Sequence, residues 1–302
     1  MTRKSQKGQA LVLVLLSLSV VLTLVLFILS RSITDVAVSS KEEESARAFS
    51  AAEAGIERSL VVGSGNSSDI GDAHYVASVT SFALGGYDVP FPSPLFSGEN
   101  ATVWFVSHDA NGNLICNSPS FPCFHGDEMK VCWGNMGTGA DTQTTPAIEL
   151  SVYYESPAGS LAGIKIGRAF IDPSPTRRGT NVNILAPDAG TCTIGNQTYQ
   201  FHTTITFAFL GIPAASYQNA NGLQFAKIRM LYNTDKAHVV GSTVNFAGST
   251  TLPSQGQIID SNGSAGTGGT NNTSNRRIVV YQGWAEFPFA SNSMFSPLGI
   301  TE

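Results

Sequence analysis

The residues best suited to covalent chemistry in this 302-residue chain are four cysteines, Cys116, Cys123, Cys132 and Cys192. An even number of thiols in an exported chain predicts disulfides, and four allow three connectivities, all of them open to the sequence. Zinc needs close C-x-x-C pairs, whereas six and then eight residues separate the first three sulfurs. Free buried thiols are the remaining alternative.

Five histidines, His74, His108, His125, His202 and His238, are the next candidates. HDA at 108–110 and HGDE at 125–128 set imidazole beside carboxylate, but no G-x-S-x-G or H-E-x-x-H frames a nucleophile or a metal. DANGN (109–113) alternates oxygen-bearing residues as a calcium loop does. Leu114, however, stands where that loop needs glycine, and Ser120 where it needs an acid. Asn111-Gly112 reads instead as a hairpin turn after the strand-like ATVWFVS. The glycine cluster of SNGSAGTGGTNNTSN (261–275) lacks the Gly-Lys-Ser/Thr ending of a phosphate loop. These readings predict no catalytic residue, no cofactor and no metal.

What must position these residues is mostly β-structure. Only 13% of the chain is charged and the formal net charge is −5, so no basic footprint invites nucleic acid. Strand-like runs occur at 74–80, 102–107, 148–154, 163–171, 199–209, 225–232, 237–246 and 277–287, several alternating and rich in β-branched and aromatic residues. After GSGNSSDIGD, a turn-rich linker, no helical periodicity of length follows, and 261–275 reads as a flexible loop.

Before that linker the chain has another character. Ala10–Leu29 carries no charge over twenty residues, and Arg3, Lys4 and Lys7 precede it with no acid among them. As a helix it spans about 30 Å, the apolar thickness of a bilayer, and the basic flank keeps the N-terminus cytoplasmic. Ala37-Val38-Ser39 is a poor cleavage site for an ordinary signal, lying several polar residues beyond the run. No proline occurs from Arg31 to Val62, and Phe49, Ala52, Ile56 and Leu60 recur three or four apart on one face. One helix is therefore expected over 9–62, about 80 Å long, membrane-embedded over 10–29 and amphipathic in its second half. The expected fold is α+β: this helix, then a mainly antiparallel, sandwich-like extracytoplasmic head over 63–302.

Three stretches together resemble the type IV pilin-like proteins, and within them the PilX-type minor pilins. They are the basic leader 1–8 ending in Gly8, the polar turn RSITDVAVSS, and AFSAAEAGIERSL (48–60), which is similar to the AF-x-AAEAG-x-E segment of that family. The resemblance covers about the first 60 residues. It implies that prepilin peptidase cuts between Gly8 and Gln9, that Gln9 is N-methylated, and that an assembly machinery moves the helix from the cytoplasmic membrane into a filament with other pilin subunits. Glycine before the cut lets the backbone enter a narrow protease cleft. Most members of the family carry glutamate at the fifth mature position, which pairs with a neighbour's terminal amine. Leu13 stands there instead, and a minor or tip-proximal place in a type IV pilus or related pseudopilus follows. The alternative is a permanently anchored surface protein whose β-rich head binds sugar or another ligand.

Overall fold

The computed structural model describes residues 9–109, 111–116, 119–160, 163–266 and 273–285. Helix α1 runs unbroken over Gln9–Val62, 54 residues. Gly63 stops it in a left-handed conformation at φ 72°, donating its N–H to the Ser59 carbonyl at 2.8 Å. All side chains from Leu11 to Leu29 are exposed, and their few polar atoms turn inward. Ser17, Ser19 and Thr23 donate to the carbonyls of Val14, Leu16 and Val20, so the surface left outside is hydrocarbon. Among the described residues this one helix is long and apolar enough to cross a membrane.

Beyond it the described chain is chiefly β. The strands are β1 (Asn66–Ile70), β2 (Ala73–Ser81), β3 (Asp88–Pro90), β4 (Asn100–Trp104), β5 (Ser107–His108) and β6 (Leu114–Ile115). There follow β7 (Glu128–Trp133), β8 (Ala147–Glu155), β9 (Ile164–Ile171), β10 (Ile184–Leu185), β11 (Cys192–Ile194) and β12 (Gln197–Tyr199). The last are β13 (Phe201–Thr206), β14 (Leu223–Leu231), β15 (Val240–Thr243), β16 (Gly256–Ala265) and β17 (Ser274–Gly283). Two short helices, α2 (Pro175–Arg178) and α3 (Ala214–Tyr217), interrupt them.

The chain forms two compact units, one from the residues up to Val79 with Ile259–Val280, the other from Thr80–Ile258 with the chain from Tyr281 on. The first unit holds α1 and a sheet of strand order β1-β2-β16-β17. Its small core is Ala48 and Ala51 from the helix with Ala73, Tyr75, Ala77 and Ala265 from the strands. Here the expected flexible loop 261–275 is corrected: 261–265 continue strand β16, and 274–275 begin β17. SNGSA lacks large apolar residues because a strand that meets a helix backbone closely has no room for them. Ser261 and Ala265 are buried, and a Cβ on Gly263 would lie 2.5 Å from the Ala52 nitrogen. Residues 267–272 lie outside the described part.

The second unit has a five-stranded sheet, β10-β9-β8-β14-β4, and a four-stranded one, β13-β7-β15-β3. Strand pairs are antiparallel apart from β10 with β9. Ile148, Leu150, Val152 and Ile228 of the first sheet share one apolar core with Met129, Val131, Trp133 and Ile205 of the second. The side chains alternate because successive residues of a strand face opposite sides. On β7, accordingly, Val131 and Trp133 enter that core while Cys132 packs with Cys192, Ile194 and Tyr199 on the other face.

Candidate functional site

The second half of α1 presents a packing face, built only in part from the residues the sequence marked. Ala48, Ala51, Ala52, Ile56 and Ser59 are buried, a stripe at helical spacing with Gly55 in its middle. Gly55 has the Tyr75 ring so near that an added Cβ would stand 2.7 Å from it. Small side chains bring helix and sheet backbones together, so the sheet seats on alanine and glycine rather than on the larger residues. Ala52 and Ile56 therefore hold their expected place, and Phe49 and Leu60 do not: they stay 46% and 43% exposed. A residue next to Ala48 in sequence is turned some 100° away from it on a 3.6-residue helix, which puts Phe49 on the flank. Phe49 lines an open groove of about 800 Å³ with Val38, Lys41, Ser45 and Arg276. Arg276 donates Nε–H to Ser45 Oγ at 2.8 Å, tying β17 to the helix. Beside it, Arg47 lies 3.6 Å from both Glu43 and Asp72.

In the first half of the helix Leu13 is 67% exposed, within an unbroken apolar surface. Gln9 is helical, within α1. Gly8 and the rest of the leader lie outside the described residues.

The cysteines pair as Cys116–Cys123 and Cys132–Cys192. The first closes a short loop beside the β5–β6 hairpin; the second joins β7 to the β11–β12 hairpin across a separation of 60 residues. Asp109 and residues 111–113 lie between β5 and β6 in their hairpin. Asp109 Oδ1 accepts from the N–H groups of Asn111 and Asn113 at 2.8 and 2.9 Å, and Oδ2 accepts from Asn113 Nδ2 at 3.0 Å. Those bonds, the Asn113 side chain's first, hold its carboxyl below the usual range. No group of three or more His, Cys, Asp or Glu that could hold a metal occurs among the described residues.

The histidines are dispersed. His74 Nδ1 meets Asp69 Oδ1 at 2.6 Å on the surface. His238 is fully buried, its Nδ1 accepting the Asn135 N–H at 3.0 Å. His108 packs edge-on to Trp104 and face-on to Trp284, with ring centroids 4.5 and 4.7 Å away. Burial pushes its pKa down to about 4, against a smaller opposing effect of Asp109.

One polar constellation escaped the sequence reading. Arg177 donates Nε–H and Nη2–H to the two carboxylate oxygens of Asp172 at 2.8 and 2.7 Å, and donates further to the carbonyls of Thr142 and Thr145, both at 2.7 Å. Its guanidinium lies 4.4 Å over the Tyr232 ring. The available signal was SPTRR: serine caps a helix begun by proline, and Ser174 Oγ does accept the Arg177 N–H at 3.2 Å. With every direction of the guanidinium occupied, this is a clamp on the 139–145 turn, not a substrate site.

No protein-family model matches the chain, and neither a curated protein nor a solved structure matches it.

Proposed function

We propose that this chain is a structural subunit of a filament of the type IV pilin-like class, exported through the cytoplasmic membrane and carried afterwards at the cell surface. The observation that carries the reading is the two-part helix. Its first half, 11–29, is hydrocarbon all round, and its second half is seated on a sheet through Ala48, Ala51, Ala52 and Ile56. A simple anchor needs some 20 apolar residues; it does not need them continued into a rigid helix of about 80 Å. A polymer core does. Apolar residues also stay exposed past residue 29, at Ile33, Val36 and Val38, where neighbouring subunits would cover them.

Prepilin peptidase would cut after Gly8 and expose Gln9 for N-methylation. With Leu13 in place of an acid, the subunit offers no carboxylate to a neighbour's terminal amine, which suits a minor or tip-proximal position. The two disulfides fit an oxidising compartment for everything beyond the membrane. The head, whose two larger sheets feed one apolar core, is read as sandwich-like and as a surface module without enzymatic activity.

Mass spectrometry of the N-terminus in envelope and sheared-filament fractions tests the reading. A chain beginning at N-methylated Gln9, and an intact chain when prepilin peptidase is deleted or Gly8 becomes Val, are expected. An intact Met1 in the wild type, or a cut near Ser39, would leave the alternative of an ordinary membrane anchor.

A further inference from the structure

Within the second unit, an uncharged cleft of about 180 Å³ opens beside β4. Trp104, Tyr281 and Trp284 give it aromatic walls, and Ser93, Asn100 and Thr102 add hydroxyl and amide groups. No charged side chain is among the described residues that line it.

Two of the rings, Tyr281 and Trp284, are held by their polar ends, and the largely buried Trp104 closes the wall behind them. Trp284 donates its indole N–H to the Ser254 carbonyl at 2.8 Å, and Tyr281 its hydroxyl to the Gln255 carbonyl at 2.9 Å. Gln255, fully buried, clasps the third aromatic residue through the backbone. Its Oε1 accepts the Trp104 N–H at 2.7 Å and its Nε2 donates to the Trp104 carbonyl at 2.9 Å. One dipeptide, Ser254-Gln255, thus anchors all three. His108, stacked on Trp284 at an interplanar angle of 8°, takes one indole face and fixes the ring plane. Phe82 meets Tyr281 edge-on at 5.0 Å. Such rings lose little freedom when a ligand arrives, so the binding energy is not spent on ordering them.

We propose that this cleft binds a single neutral pyranose, as the exposed end of a glycan. A pyranose has an apolar C–H face that suits an aromatic wall and a rim of hydroxyls that suits Ser, Thr and Asn, each able both to donate and to accept. The absence of charge on the walls disfavours acidic sugars and phosphates, which would be desolvated without a partner. The volume is below the roughly 300–1,000 Å³ of pockets for drug-sized ligands, so it takes one ring and leaves the remainder of a chain outside.

The test is saturation-transfer NMR on the full chain in lipid nanodiscs, with the methyl glycosides of glucose, galactose, mannose and N-acetylglucosamine as probes. At least one of them is expected to receive transfer at its ring C–H protons. Ser93→Trp, at an exposed position, fills the cleft without disturbing the core and should abolish the transfer. Trp284→Ala should weaken binding roughly tenfold, the worth of one lost aromatic contact. The proposal is overturned if none of the four binds the wild type, or if Ser93→Trp binds as the wild type does. Since Ser93→Trp leaves the aromatic packing alone, the test survives a Trp284→Ala variant that fails to fold. N-terminal processing is read separately, so failure here leaves the filament reading standing, and the reverse.

Discussion

Gly263 of β16 lies directly against Ala48 of α1: a Cβ added to the glycine would collide with the Ala48 carbonyl oxygen and stand 2.5 Å from the Ala52 nitrogen. Those obstacles are backbone, which cannot swing aside. Gly263→Ala should therefore part helix and strand and destabilise the first unit by about 1–3 kcal/mol, the usual cost of overpacking. Gly112→Ala gives a comparison, since nothing lies within 4 Å of its added Cβ and only its positive φ resists it. Limited proteolysis within 256–283 reads the loss locally, and Gly263→Ala cleaved no faster than wild type would contradict it.

The two disulfides should differ in worth. Cys132–Cys192 links residues 60 apart and Cys116–Cys123 residues 7 apart. Loop-closure entropy then gives about 4 kcal/mol for the long link and about 2.5 kcal/mol for the short one. Replacing Cys132 and Cys192 together by Ala should lower the thermal midpoint more than the same change at Cys116 and Cys123. Calorimetry of the two double variants checks the order, and the reverse order would mean that the short hairpin governs folding of the head.

Much of the fold was legible because its signals are periodic and long. The helix over 9–62 declared itself by an apolar run followed by a proline-free amphipathic stretch, and its observed C-terminal end, Val62, coincides with that expectation. Strand β13, within TYQFHTTITFAF, and the end of β14, within KIRMLY, were legible through alternation. EMKVCW (β7) was not picked out, although Val131 and Trp133 enter the main core, because it is a short run amid irregular, glycine-bearing chain. The helix–sheet contact was half legible. Periodicity favours large apolar residues and so pointed to Phe49 and Leu60, while close approach selected Ala48, Ala51 and Gly55. Small residues carry little hydrophobic signal, and the same reason hid the strand in SNGSA. Disulfide partners and the Arg177 clamp depend on which strands become neighbours, which no local pattern states.

Arg177 and Asp172 form the next testable pair. The side chains are only 19% and 6% exposed, and the arginine makes two bonds to the carboxylate and two more to the Thr142 and Thr145 carbonyls at 2.7 Å. Lysine offers a compact ammonium that cannot fill this fork and carries no planar face for Tyr232. Arg177→Lys should cost about 2–3 kcal/mol, as for lost hydrogen bonds to a charged group in a half-buried place. A double-mutant cycle with Asp172→Asn in urea melts measures the coupling. A coupling near zero would mean that the carbonyl contacts alone hold the turn.

His108 should make the head acid-sensitive above the range where carboxylates titrate. The folded pKa, about 4, lies below the ordinary 6.5 because burial between Trp104 and Trp284 disfavours the imidazolium. The unfolded chain therefore binds the proton first. The contribution of neutral His108 is fully present above pH 6.5, declines as pH falls from there towards 4, and changes no further below that. Two and a half pH units correspond to about 3 kcal/mol as a ceiling, and with solvent screening of the imidazole a loss of about 1–2 kcal/mol by pH 4.5 is expected from this group. His238, lowered in the same direction by burial first and by Lys236 second, adds to the decline. His108→Phe keeps an aromatic ring against Trp284 but cannot titrate. Urea melts at pH 7.5 and 4.5 should show this variant losing less stability than wild type across the interval, and equal losses would assign the acid sensitivity to other groups.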